Sequence, residues 1–165
     1  MKSLIFYYSR TGNTANVAQV LHKAIKSDIE EVKDRKDRSG ILGYLNSGKD
    51  ALFGKEANIE SIKSGLKDYN NIFIGGPVWA LRPSTPVSTL IKRLDLKGKN
   101  IVLFVTCGGN PGKALEKMSS LTTASGGNVI YSFVVKTSKM DAARIAQASE
   151  SEVVKFKETV IKKRT

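Results

Sequence analysis

The chain has 165 residues, 41% hydrophobic and 25% charged, with a formal charge of +12. These values are those of a soluble globular protein with one full core. They exclude a membrane span, since no apolar run is long enough, and the single cysteine, Cys107, excludes an internal disulfide and offers no metal cluster.

Strand and helix signals alternate from end to end. Lys2 to Tyr8 reads as a buried strand. Thr14 to Lys26 places Val17, Val20, Leu21, Ala24 and Ile25 at helical spacing. Asp28 to Lys33 is a short strand, and Ile59 to Leu66 is expected as a helix facing inward through Ile59, Ile62 and Leu66. Asn71 to Gly75 is the third strand. Thr85 to Leu94 is a helix, with Pro86 tolerated in its first turn. Lys99 to Thr106 holds the most continuous apolar run, Ile101 to Val105. Pro111 to Ala124 is helical, Asn128 to Lys136 is the fifth strand, and Asp141 to Lys163 is a closing helix with Asp141 as its N-cap.

Five strands alternating with helices imply an α/β fold whose parallel sheet is covered on both faces, with right-handed crossovers. In such sheets ligands sit beyond the carboxyl ends of the strands, where strand order switches. The loops after the first, third and fourth strands are therefore expected to meet. Residues 35 to 58 break the rhythm, being too long for an ordinary connection. They open with the mixed charges of Asp34 to Arg38 and continue with Ile41 to Leu45 and Ala51 to Phe53, a pattern fit for a short helix that docks on the domain or covers a ligand. No repeat or linker interrupts the chain, so residues 1 to 165 are read as a single domain with that insertion.

The first loop is Ser9-Arg10-Thr11-Gly12-Asn13-Thr14. Hydroxyls, an amide and a glycine between a strand and a helix collect donors where the helix dipole is positive, a site for a phosphate monoester. No Gly-Lys-Ser/Thr follows, so it is not a P-loop, and the G-x-G-x-x-G spacing is absent. Arg10 either pairs with the phosphate or faces solvent. The second loop runs through Gly76, Pro77, Val78, Trp79, Ala80, Leu81, Arg82 and Pro83, with irregular backbone expected from its glycines and prolines. Trp79 has two readings, cover for a planar ring or packing under its own loop. Arg82 lies at the ring's edge or in solvent. The third loop, Thr106-Cys107-Gly108-Gly109-Asn110-Pro111, permits close backbone approach through its glycines. Cys107 has no base beside it in sequence, since the only histidine, His22, belongs to the first helix, and it is read as a packed small residue.

These motifs resemble the flavodoxins and the wider flavodoxin-like FMN proteins. Tyr8 to Thr14 is similar to their phosphate loop nearly residue for residue, Gly76-Pro77-Val78-Trp79 with Arg82-Pro83 to their second flavin loop, and Thr106 to Gly109 occupies the place of the third. The resemblance covers the chain apart from residues 35 to 58. It implies a three-layer, doubly wound, five-stranded parallel sheet of order 2-1-3-4-5. It implies non-covalent FMN, with Ser9 to Thr14 on the phosphate, Trp79 beside the isoalloxazine, Val78 to Leu81 near its N5, and Gly108 and Gly109 at its pyrimidine end.

Three departures stand out: the positive charge, where the family's carriers are typically acidic; a third loop without a stacking aromatic; and the insertion. The expected function is electron transfer through FMN, one or two electrons at a time, with an acidic redox protein as partner. Salt-sensitive attraction of such a partner follows from the +12 charge. The alternatives are an FMN-dependent oxidoreductase linked to a quinone or NAD(P)H, and a non-catalytic binding module on the same scaffold. No catalytic residue and no metal ligand is singled out. Dispersed basic residues without interleaved aromatics argue against specific nucleic-acid binding. Met1-Lys2 leads straight into the first strand, leaving no room for a signal peptide, and a reducing cytoplasm is the expected location.

Overall fold

Alternate residues of the apolar runs go to opposite faces of one sheet, as the two-residue period of a strand requires. The computed structural model describes residues 2–162. In chain order the elements are β1 (Ser3–Tyr7), α1 (Asn13–Ile25), β2 (Asp28–Glu31), α2 (Gly40–Leu52), β3 (Asn71–Trp79), β4 (Arg82–Pro83), α3 (Thr85–Arg93), β5 (Asn100–Cys107), α4 (Ala114–Ala124), β6 (Asn128–Lys136) and α5 (Ala142–Lys162). The last residue expected for the closing helix, Lys163, lies outside the described residues.

The strand order is β2-β1-β3-β5-β6, with every pair parallel and the short β4 added antiparallel to β3. Counting only the five long strands, this is the expected order 2-1-3-4-5. On one face Leu4, Phe6, Ile72, Ile74, Leu103 and Val105 pack against α3 and α4. On the other, Ile5, Phe73, Val102, Phe104 and Phe133 pack against Val17 and Leu21 of α1 and Ile145 and Val153 of α5. Asp141 caps α5 as expected, its carboxylate accepting from the Arg144 N–H at 2.9 Å.

Two expectations are corrected. Residues 59–66 form no helix. Their inward pattern holds, with Ile59 buried and Ile62 and Leu66 packed on the core, but their backbone donors are claimed by other partners. The Lys63 and Ser64 N–H groups donate to the Glu30 carboxylate at 2.7 and 2.8 Å, and the Glu60 N–H donates to the Lys33 carbonyl. A helix would need the Lys63 and Ser64 donors for its own carbonyls. The third strand does not stop at Gly75. It runs on to Trp79, because Gly76 and Pro77 continue the parallel ladder opposite Val105 and Thr106, and Val78 and Trp79 pair with Pro83 and Arg82. The stretch expected to be irregular is therefore a strand and a tight hairpin.

The insertion contains the short helix that its apolar pattern predicts, α2, docked beside the end of β3.

Candidate functional site

The first loop leaves β1 and turns into α1 through Gly12, whose φ of 91° lies in the left-handed region that favours glycine. No side chain caps the helix, and no acid sits in its first turn. The positive end of the α1 dipole therefore faces Ser9, Thr11 and Asn13 with no acidic side chain in its first turn. Ser9 Oγ accepts from the Gly12 N–H at 3.2 Å, which folds the loop over the helix end. Thr11 and Gly12 are exposed, and Ser9, Arg10 and Asn13 are half-buried. Thr14 is different. Its hydroxyl is buried and shares a hydrogen bond of 2.7 Å with Thr106 Oγ1, tying the start of α1 to the end of β5. Arg10 lines a cleft of about 510 Å³ with the segment that leads from β2 to α2.

The second loop is reduced to two residues, Ala80 and Leu81, with φ of 47° and 61°. Two successive left-handed residues are what a two-residue hairpin of the primed type demands, usually supplied by Asn or Gly. Closure comes from the Ser84 N–H donating to the Pro77 carbonyl at 3.1 Å. Trp79 is 4% exposed. Its ring stands at right angles to that of Tyr8, with centroids 5.6 Å apart, and the Arg38 guanidinium lies over it at 5.1 Å. The ring is thus packed under its own loop, with the α2 segment above it. Trp79 and Ala80 also border a pocket of about 260 Å³ shared with Leu45, Gly48, Lys49 and Leu52 of α2.

Arg38 is held by more than Trp79. Its Nε donates to Asp34 at 2.5 Å and its Nη1 to Asp50 at 3.0 Å, and Asp50 also accepts from Lys36 Nζ at 2.8 Å. The side chains of Arg38 and Asp34 are almost wholly buried. Burial alone would depress the Arg38 pKa, but the hydrogen bonds and charges of the two aspartates outweigh it and raise it. The Asp50 carboxyl is held below its ordinary value, first by the Lys36 hydrogen bond and also by Arg38. Burial pushes the Tyr8 phenol up, and Asp34 adds to the shift. This cluster was not singled out from sequence. The four-residue spacing of Asp34 and Arg38 within the mixed charges was its signal, and it reads equally well as a solvated face.

The third loop joins the other two. The Leu81 carbonyl accepts from the Lys113 N–H at 3.0 Å. Gly112, with φ of 53°, sits so close that an added Cβ would lie 2.4 Å from Leu81 Cβ. Gly108 and Gly109 are exposed and border open space. Cys107 is buried, its thiol 3.4 Å from the Gly109 carbonyl and pushed up in pKa by burial, which suits packing and not nucleophilic attack. His22 is far off in sequence and structure alike, its Nδ1 2.6 Å from the Ser27 carbonyl at the other end of α1.

The fold therefore brings the three loops together, through Thr14 with Thr106 and Leu81 with Lys113. Arg82 and Lys113 both line a groove of about 620 Å³ beside the loops. A phosphate monoester fits the uncapped, acid-free start of α1, and the open space at Gly108 and Gly109 leaves room for a ring next to the hairpin. Among the described residues, no cluster of His, Cys, Asp and Glu is arranged to hold a metal ion.

Comparison with known proteins agrees with this fold. A flavoprotein from Lactobacillus acidophilus NCFM, solved in complex with FMN, superposes with a TM-score of 0.71 at 27% identity, over 94% of this chain and 98% of its own. A Bacteroides uniformis ATCC 8492 structure gives 0.75 at 23% identity over 88% and 96%. Oxidised Flavodoxin 2 from Bacillus cereus gives 0.57 at 15% identity over 96% and 99%. The last two likenesses are of fold alone. No curated protein matches the sequence. The flavodoxin family profile matches residues 2–155, and the chain belongs to the flavodoxin family.

Proposed function

We propose that this protein binds FMN non-covalently and works as an electron-transfer protein with an acidic redox partner in the cytoplasm. The observation that carries the reading is the start of α1, a helix end with no side-chain cap and no acid, fronted by Ser9, Thr11 and Asn13. Such an end stabilises a dianionic phosphate through backbone N–H groups and the helix dipole. FMN, when bound, supplies transfer of one or two electrons. The chain's own residues bind and orient it. Ser9 to Thr14 hold the phosphate, Thr14 through its backbone, since its hydroxyl bonds Thr106. Pro77, Val78, Trp79, Ala80, Leu81 and Arg82 form one wall, stiffened by the Trp79–Arg38 contact. Thr106, Cys107, Gly108 and Gly109 form the other.

The single cysteine suits a reducing compartment, and no helix among the described residues is long and apolar enough to cross a membrane. A second reading, an oxidoreductase serving a small acceptor, draws on the open space at Gly108 and Gly109. An anaerobic reductive titration of the FMN-loaded protein separates the two. Two resolved one-electron stages support the carrier. A single two-electron stage with steady NAD(P)H turnover by the protein alone supports the oxidoreductase. Failure to take up FMN overturns both.

A further inference from the structure

The α2 helix carries an unusual surface. Leu42, Leu45 and Leu52 recur along one side of it, and Phe53 follows at its end. All four are exposed, Leu42 at 76% and Phe53 at 68%. Leu81, at the tip of the hairpin, is exposed as well. Leu52 and Phe53 continue into the 620 Å³ groove between α3 and α4, whose walls carry Lys55, Arg82, Lys92, Lys113 and Lys117. Lys92 pairs with Glu56 at 3.3 Å and Lys55 approaches Asp50 at 3.8 Å, and Glu116 is the one carboxylate in the lining itself. An exposed apolar stripe beside a positively charged groove suits a protein interface, and the stripe faces out because Arg38, Asp34 and Asp50 pin the other side of α2 down.

From this arrangement we infer that the α2 stripe and the α3–α4 groove form the docking face for an acidic protein segment, its carboxylates between the groove lysines and an apolar side chain against Leu52 and Phe53. The redox role of that partner rests on the electron-transfer reading above; the docking face does not. Charge decides the occupant. A second copy of this chain would set like charges against like, which is repulsive. A flat bilayer would not enter a groove recessed between two helices. Nucleic acid would need bases stacked on aromatics, and among the groove residues only Phe53 is aromatic.

The test uses the full chain, with and without FMN. The probe is a fluorescein-labelled helical peptide with Leu at every third or fourth position and Glu on the other face, followed by anisotropy at low and moderate salt. Binding is expected to weaken at least about tenfold in Lys113→Glu/Lys117→Glu, since reversal turns attraction into repulsion. It is also expected to weaken in Phe53→Ser. It should change by less than about twofold in Lys23→Glu/Lys155→Glu, a reversal of equal charge on the opposite face. Equal loss in both pairs would mean only the overall field is at work, and would overturn the proposal. Tighter, Phe53-dependent binding to phosphatidylglycerol vesicles or to a single-stranded oligonucleotide would overturn it in favour of a membrane or nucleic acid. Peptide binding reads docking alone and the reductive titration reads FMN alone, so each reading fails separately.

Discussion

Ala80 and Leu81 hold the left-handed conformations of the hairpin without being glycine or asparagine. A left-handed non-glycine residue costs roughly 1–2 kcal/mol, and glycine's extra freedom in the unfolded chain returns about 0.5–1 kcal/mol of that. Ala80→Gly is therefore expected to stabilise the fold by up to about 1.5 kcal/mol in urea unfolding; a loss of stability would show the turn to be unstrained. Gly112 is the converse case. Its φ of 53° and its approach to Leu81 leave no room for a Cβ. Gly112→Ala should separate the second and third loops, lower stability by about 1–3 kcal/mol, and weaken FMN binding measured by flavin fluorescence. Neither position announces itself in the sequence, since Gly112 reads as one loop glycine among several.

At the scale of the element, the question is what keeps α2 in place. Arg38 lies between Asp34 and Asp50 and over Trp79. Removing it leaves two carboxylates in a site made for a cation, and breaking such a buried pair costs about 3–5 kcal/mol. Arg38→Leu should lose stability on that scale and shift the emission of Trp79, the only tryptophan in the chain. An unshifted spectrum would mean that Arg38 does not set the ring's surroundings. The cluster also fixes a pH response. Asp50 is held below its ordinary 3.8, chiefly by Lys36 and also by Arg38. A depressed carboxyl contributes stability above its unfolded value and loses it as pH falls through the folded one. Stability should therefore drop on acidification below about pH 4, and Asp50→Asn should flatten that part of the profile.

For the molecule as a whole, the +12 charge is the governing feature. A positive field favours the more negative, reduced form of a bound flavin, and salt screens it over a Debye length of about 10 Å at 0.1 M. Raising ionic strength should move the potential of the FMN-loaded protein downward in a potentiometric titration. An upward or absent shift would show that the field at the flavin is not positive.

The apolar alternation was sufficient to determine an α/β fold with a parallel sheet, and the loop motif Ser9 to Thr14 carried the family resemblance that implied its strand order. Both are local: a strand's two-residue period and a helix N-terminus are read from neighbouring residues. Non-local partners decided the rest. Residues 59–66 have a helical apolar pattern, yet Glu30 takes the donors of Lys63 and Ser64 from 33 and 34 residues away. The third strand outruns its apolar core because β5 lies beside Gly76 and Pro77. Arg38 becomes a buried anchor, not a solvated charge, only because Asp50 and Trp79 arrive from other elements. Partners distant in the chain leave no period or spacing behind, so only the tertiary structure could decide them.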